Sequence, residues 1–274
     1  MEAKRILFMM QEITPYLPVS PMSSLCRELP QATQERGREI RTFMPKFGPI
    51  NDRRNQLHEV IRLSGMNLVI TDVDHPLTIK VASIQAARMQ VYFIDNEDFF
   101  KRKGNFVDEE GALYEDNDER SIFYVRGTLE TIKKLRWIPD IVHCHGWFSA
   151  LTPLYLRRMY LNDPCLRFAQ IVYSVYDVDF EKTLCPAFAK KLLADFAQEE
   201  DVVGLVKSPD FLTLNKLAID FSDAIIQGSE HIHPELLEYI QASGKRFLPY
   251  QTPDHCFDAY NQLYDELPAR TLPE

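Results

Sequence analysis

Glycine is in short supply. The 274-residue chain carries ten, and no two of them lie within six residues of each other; a domain of ordinary composition holds about 7% glycine. Both glycine-rich phosphate cradles, G-x-G-x-x-G and G-x-x-x-x-G-K-[ST], are thereby excluded. Cysteine is sparse and unpatterned. Cys26, Cys144, Cys165, Cys185 and Cys256 are odd in number, widely spaced and free of any C-x-x-C pair. That usage fits a reduced, intracellular protein and excludes a disulfide framework or a zinc ribbon. Long apolar runs are also missing. Residues 6–10 are apolar but are followed at once by Gln11 and Glu12, too short for the ~7–15 residues of a signal peptide core. Nothing approaches the ~18–20 residues of a membrane span, so the expected compartment is the cytoplasm. Positive charge is in deficit. Lys and Arg number 31 against 40 Asp and Glu, a net charge of −9 with a pI near 5.4. A general nucleic-acid or anionic-membrane binder would carry the opposite excess.

What is present is ordinary for a folded soluble chain, with 45% hydrophobic and 26% charged residues. The order of patterns is informative. RILFMM at residues 5–10 reads as a buried strand. After Pro15, Pro18 and Pro21, the residues Met22, Leu25, Cys26, Leu29 and Ala32 recur at helical spacing until Gly37. Residues 39–44 form a second strand closed by Pro45, completing a βαβ unit. Short strands follow over 57–71, 77–84 and 90–94, separated by turns such as 72–76, with no helix between them. Residues 96–118 read as a polar surface loop, with Lys101, Arg102 and Lys103 solvated.

Alternation then resumes. Ile122, Val125, Leu129 and Ile132 form a helical stripe, residues 140–144 a strand, and Trp147 to Tyr155 another stripe. A strand is expected at 168–175, helices at 187–196 and 212–221, and a strand at 224–226. Ser229 reads as an N-cap with Glu230 in the first turn. Phe257, Tyr260, Tyr264 and Leu267 mark a final amphipathic helix. The fold class is α/β: a Rossmann-like, mainly parallel sheet with helices on both faces and an antiparallel β-hairpin excursion. With no internal repeat and no linker, residues 1–274 read as one domain.

Ligands of such sheets bind outside the carboxyl ends of the strands. The residues there are Gln11 and Glu12, Pro45 and Lys46, Asp95 and Asn96, His143 to His145, Tyr176 and Asp177, and Gln227 to Ser229. His143 and His145 share a strand face, and with Asp140 or Asp177 they could hold a divalent metal. The plainer reading is two histidines hydrogen-bonded to their neighbours, since no H-E-x-x-H spacing accompanies them. His231 and His233, in the first turn of a helix, would point ~200° apart. There is no G-x-S-x-G elbow for a serine hydrolase, and Cys144 inside an apolar strand should be inert. Asp95, Asp177 and Asp179 could serve as acid or base, or simply as caps.

These pieces together resemble the bacterial glycogen synthases and plant starch synthases, over residues 4–240. Glu12-x-x-Pro15 is similar to that family's S-E-x-x-P, and Pro45-Lys46-Phe47-Gly48 to its P-K-Y-G. Phe93-Ile94-Asp95-Asn96 with Phe99 and Phe100 resembles F-I-D-N-x-x-Y-F, with Arg102 and Gly104 in register. Pro139-Asp140-Ile141-Val142-His143-Cys144-His145-Gly146-Trp147, running into Leu151-x-Pro153-x-Tyr155-Leu156, resembles P-D-I-V-H-x-H-D-W and the helix after it. The resemblance implies a single GT-B half-domain, of which residues 245–274 would be a carboxyl-terminal extension packing back as a strand and helix. The family closes two such domains around its sugar donor, and only the amino-terminal one is matched.

The departures fall on the family's working residues. Its K-x-G-G-L loop, which contacts the sugar nucleotide, reads Pro18-Val19-Ser20-Pro21-Met22. The lysine and both glycines are replaced, and two prolines remove backbone donors that a phosphate would use. The acid of H-D-W is Gly146. The T-V-H-N segment, whose histidine lies in the catalytic centre, reads Ser174-Val175-Tyr176-Asp177. The resemblance therefore implies a domain weak or inactive in transfer on its own, with a glucan-binding or regulatory role. Its glycan groove would be lined by Glu12, Asp95, Asn96, His145, Trp147, Tyr176 and Asp177, and it would use no metal or cofactor. Two alternatives stand beside it. One is an ADP-glucose-dependent α-1,4-glucan glucosyltransferase completed by a separate subunit or by homo-oligomerisation. The other is a small-molecule enzyme built on His143, His145 and Asp177.

Overall fold

The computed structural model describes residues 3–180 and 182–268. Ten strands form the sheet: β1 (Arg5–Met10), β2 (Glu39–Pro45), β3 (His58–Glu59), β4 (Met66–Ile70), β5 (Val73–Ile84), β6 (Met89–Asp95), β7 (Ile141–His145), β8 (Gln170–Val175), β9 (Ala224–Gln227) and β10 (Arg246–Leu248). Their order is β10-β9-β8-β7-β1-β2-β6-β5-β3, with β4 also paired to β5. From β10 to β6 every pairing is parallel. β5 runs antiparallel to β6, and β3 and β4 run antiparallel to β5. The parallel sheet with an antiparallel excursion is as expected.

The chemistry of the central strands explains their place. IVHCH and QIVYSV are buried at every position, and RILFMM at all but its first, the continuous pattern of parallel strands covered on both faces. Side-chain alternation separates the faces. On one, Tyr264 of the helix Pro253–Glu266 meets Phe8 and His143, whose ring bonds Ser174, and the helix Pro21–Glu35 packs against that helix and β2. On the other, the helix Thr152–Arg157 meets Met9 through Thr152, and the helix Phe211–Phe221 meets Tyr173 through Asn215. Tyr124, from the helix Asn117–Lys134, donates its hydroxyl to the Met10 and Phe43 carbonyls at 3.1 and 3.0 Å.

Three local expectations are corrected. The turn into β5 is only Thr71 and Asp72, both at positive φ (53° and 61°), as a two-residue I′ hairpin requires; residues 73–76 are strand, and Pro76 pairs with Asn67. Residues 96–118 are more than a surface loop. Asn96 caps a short helix, Glu97–Phe100, and Phe99 and Phe100 are buried. Arg120 ties this segment down from beneath. Fully buried, it donates to the Phe99 and Asn105 carbonyls at 2.8 Å and lies over the rings of Phe47, Phe100, Tyr114 and Phe148. Finally, Ser229 caps no helix. Pro234 fixes the first helical turn of Pro234–Ala242, and the His233 side chain accepts from the Glu235 N–H. His231 and His233 thus precede that helix.

Past Gly244, β10 extends the sheet and Pro253–Glu266 crosses one face. Lys4 Nζ donates to the Tyr264 carbonyl at 2.7 Å, and Arg38 reaches Asn261 Oδ1 at 2.8 Å and Asp265 Oδ1 at 2.6 Å. No helix of the described residues is long and apolar enough to cross a membrane.

Candidate functional site

The carboxyl ends of β7 and β8 meet in a buried polar cluster. His143 Nδ1 lies 2.6 Å from the Tyr264 hydroxyl and its Nε2 lies 2.7 Å from Ser174 Oγ. His145 Nδ1 lies 2.7 Å from the Tyr176 hydroxyl, and the two imidazoles are 3.9 Å apart between centroids. Burial, with the neighbouring imidazole, holds His143 well below the ordinary histidine range, and burial alone pushes His145 down to about 3. Both are neutral at pH 7. Burial also raises the Tyr176 phenol far above its ordinary value. Nothing here can ionise near neutrality, so the cluster is a hydrogen-bonded lock and not an acid–base pair. Among the described residues no three His, Cys, Asp or Glu side chains assemble a metal site. His143 spends both nitrogens inside the fold, and Asp177 is exposed, its backbone N–H bonded to Ser229 Oγ.

Tyr176 owes its position to Gly228. A Cβ on that glycine would come within 2.6 Å of the tyrosine ring, so the bare backbone is what lets the phenol lie flat over the end of β9. The ring is thereby sealed, at 4% exposure. Trp147 is equally enclosed, its ring centroid 4.8 Å from Phe106 and 4.9 Å from Phe180. Of the residues expected to line a glycan groove, His145, Trp147, Tyr176 and Asn96 are therefore buried, and they offer no surface to a sugar in this conformation.

Gly146 is shaped by Gln11, a strand-end residue whose contact with it the sequence does not reveal. It has φ +80°, and a Cβ there would stand 2.6 Å from Gln11 Oε1. Gln11 is fully buried, and its Oε1 accepts the Phe148 N–H at 3.2 Å. The amide of Gln11 thus fills the space into which a carboxylate at 146 would project. In the motif register Gln11 stands where the family has serine, so the two departures are one steric event.

The start of the Pro21–Glu35 helix is closed in its own way. Ser20 and Ser23 cap each other, each hydroxyl accepting the other's N–H at 2.8–2.9 Å. Ser23 Oγ also donates to the Pro18 carbonyl at 3.0 Å, and Ser20 Oγ donates to the half-buried Glu12 carboxylate. Proline at the first helical position has no N–H to give. With a carboxylate beside it, no donor on Pro21 and the Ser20 and Ser23 N–H groups spent, this helix start disfavours a phosphate that an open one would attract.

Asp95 lies in a different place, at the carboxyl ends of β2 and β6. There a cleft of about 650 Å³ is lined by Lys46, Pro49, Asp52, Lys80, Asp95 and Arg102, among others. Lys80 bridges Asp52 at 2.8 Å and Asp95 at 2.7 Å, and Lys46 meets Asp52 at 3.0 Å. Burial would raise the Asp52 carboxyl, but its bonds from Lys80 and Lys46 outweigh this and hold it low. Lys46, Asp52, Lys80 and Asp95 thus alternate in sign, within a lining that also holds Glu97, Lys101 and Lys103 and so carries an excess of positive charge. Gly48 makes the cleft floor possible, since any Cβ there would run into the Arg102 carbonyl. Asn96, by contrast, is a cap, accepting from the Asp98 and Phe99 N–H groups and donating to the Pro76 carbonyl.

Comparison with known proteins decides the family. The model of the starch synthase catalytic domain matches residues 5–246. The chain belongs to the starch synthase catalytic-domain family. It is 32% identical over 241 residues to the glycogen synthase of Pelodictyon phaeoclathratiforme, covering 86% of this chain and 48% of that enzyme. It is 36% identical over 192 residues to that of Chlorobium limicola, covering 70% of this chain and 39% of the other. The catalytic domain of Arabidopsis thaliana starch synthase IV, solved with ADP and acarbose, shares the fold at a TM-score of 0.72 and 16% identity, over 92% of this chain and 52% of that one. The chain spans about half the length of the relatives it matches. Within this starch synthase-type domain, the β7–β8 corner is locked and the β2–β6 corner is open.

Proposed function

We propose that this domain binds the hydroxyl groups of a glucan and does not itself transfer glucose. One observation carries the reading: Tyr176 stands at the position where the family resemblance places a catalytic-centre histidine, and it is sealed beneath Gly228 and bonded to a neutral His145. A phenol cannot take up the donor and charge roles of an imidazole, and a buried one cannot reach a substrate. Gly146 without its acid and Pro18 without its lysine support the same conclusion. Binding is assigned to the Lys46–Asp52–Lys80–Asp95 row, whose ammonium groups can donate to, and whose carboxylates can accept from, hydroxyls that each do both. The ADP and acarbose held by the starch synthase IV domain make an oligosaccharide the ligand class to try first. Affinity should be on the order of millimolar to tens of micromolar, since an open half-cleft buries little of its ligand.

The test has two arms. Chemical-shift mapping with maltoheptaose should show changes clustered on Lys46, Lys80 and Asp95. Purified protein given ADP-glucose and glycogen should incorporate no glucose. Incorporation by the chain alone overturns the proposal. Because the chain matches about half of its relatives' length, the second arm is repeated with a polypeptide carrying the other half. Transfer appearing only then would support the alternative, a glucosyltransferase cleft completed by a separate subunit.

A further inference from the structure

A second cleft, of about 320 Å³, opens beside the sealed corner. It lies between the first turn of the Pro21–Glu35 helix, the Gly228–Ser229–Glu230 turn after β9, and the start of the Pro253–Glu266 helix. Its walls are largely apolar and aromatic: Leu25, Tyr250, Phe257 and Tyr260, with Pro21 and Pro253 at the helix starts. Its charge is of one sign. Glu28 and Glu230 line it, and Asp254 stands close enough, with Glu28, to help raise the Cys256 thiol of the same wall. No lysine, arginine or histidine is among the lining residues. Glu28, Glu230 and Asp254 are exposed, and among the described residues none has an ion-pair partner. Two helix starts at one cleft would ordinarily favour an anion. Here each begins with proline, which lacks the N–H, and the Ser20–Ser23 capping box spends two further donors.

We propose that this cleft binds a compact organic cation with a flat or apolar body, an aryl or alkyl ammonium or a guanidinium. Its stem would lie against Phe257, Tyr250 and Leu25, and its charge would sit between Glu28 and Glu230. Aromatic faces attract a cation and add to the carboxylates, whereas a nucleotide or phosphosugar meets like charge. The volume is at the small end of the range for ligand pockets, which start near ~300 Å³, and so admits one ring or one side chain. The inference stands on this cleft alone and does not depend on the glucan reading.

Three phenols of one shape test it. Tyramine is a cation, 4-ethylphenol is neutral and 4-hydroxyphenylacetate is an anion at pH 7. Ligand-observed NMR should show tyramine binding at least tenfold more tightly than 4-ethylphenol, and no binding of the acid. The variant Glu28→Gln/Glu230→Gln, altered only at exposed side chains, should melt as the parent does and lose the preference for tyramine. Phe257→Ala should weaken both tyramine and 4-ethylphenol. N-acetyl-arginine amide, competed against tyramine, separates a protein-borne cation from a free amine; either result is consistent with the site. Equal binding of all three phenols, preference for the acid, no binding of tyramine at millimolar concentration, or tyramine binding unchanged in the double glutamine variant overturns it.

Discussion

Acid should destabilise this domain well above the pH at which ordinary carboxylates titrate, and the buried histidine pair should account for it. In the unfolded chain both imidazoles have the ordinary pKa near 6.5. In the fold His145 is pushed down to about 3, and His143 lies well below its ordinary value. Below pH 6.5 the unfolded state therefore binds more protons than the folded one, and stability falls as pH falls. The contribution is fully present above pH 6.5 and is lost from there down towards the folded values. Each histidine costs about 1.4 kcal/mol per pH unit while it stays neutral in that window, so at pH 5.0 His145 alone removes about 2 kcal/mol and His143 acts in the same direction. The carboxyls of Asp118 and Asp223, raised by burial, bind protons in the fold and offset part of this at the acid end. At about 2 °C per kcal/mol for a chain of this length, the melting temperature should drop by at least about 4 °C between pH 7.5 and 5.0, with little change above 6.5. Calorimetric scans at four pH values, on the parent and on His143→Asn/His145→Asn, measure it. A flat profile in the parent, or the same slope in the variant, refutes the reasoning.

Tyr176→Phe removes the hydroxyl bonded to His145 Nδ1 at 2.7 Å and should cost about 1–3 kcal/mol in a urea melt, the cost of an unpaired buried polar group. Gly146→Asp, which restores the family's acid, should cost a similar ~1–3 kcal/mol through its φ of +80° and its clash with Gln11. Adding Gln11→Ser should recover part of that loss, with a coupling above about 0.5 kcal/mol in the double-mutant cycle. Lys80→Met leaves Asp52 and Asp95 facing each other without their shared cation. Maltoheptaose shifts should vanish in that variant, while its melting temperature falls by only a few degrees, because the pair is partly solvated.

The architecture was legible because its signals are local. Continuous apolar strands, helical stripes and proline stops place β1, β2, β7 and β8 to within a residue or two. The order of short motifs then named the family. The candidate site was less legible. Asp95 was placed correctly at an open strand end, but His145, Trp147 and Tyr176 were expected on a groove wall and lie inside the core. What seals them comes from far along the chain: Gly228, and a helix whose Tyr264 reaches His143 across 121 residues. Nothing in the local spacing of H-C-H-G-W announces that. Gln11 is named at a strand end but without a role, because a glutamine there carries no pattern. Its meaning appears only when the empty Cβ position of Gly146 is seen beside it. Lys80 was invisible for a similar reason, since it lies on the antiparallel excursion and meets Asp95 only across β5 and β6. The N-cap expected at Ser229 failed because Pro234 sets the helix start more strongly than any hydroxyl.

The bond from Lys4 to the Tyr264 carbonyl joins residues 260 positions apart. It carries a consequence for synthesis. The histidine cluster sits on β7 and β8, yet one of its partners belongs to a helix translated more than a hundred residues after His143. A nascent chain can build the parallel sheet and still leave His143 Nδ1 without its tyrosine. Until that helix docks, the polar interior of the sheet faces water or a chaperone. Completion of the fold waits on closure of a very long loop, which is slow by its chain entropy. A chain shortened before this helix would leave Phe8 and His143 uncovered together on a sheet otherwise formed.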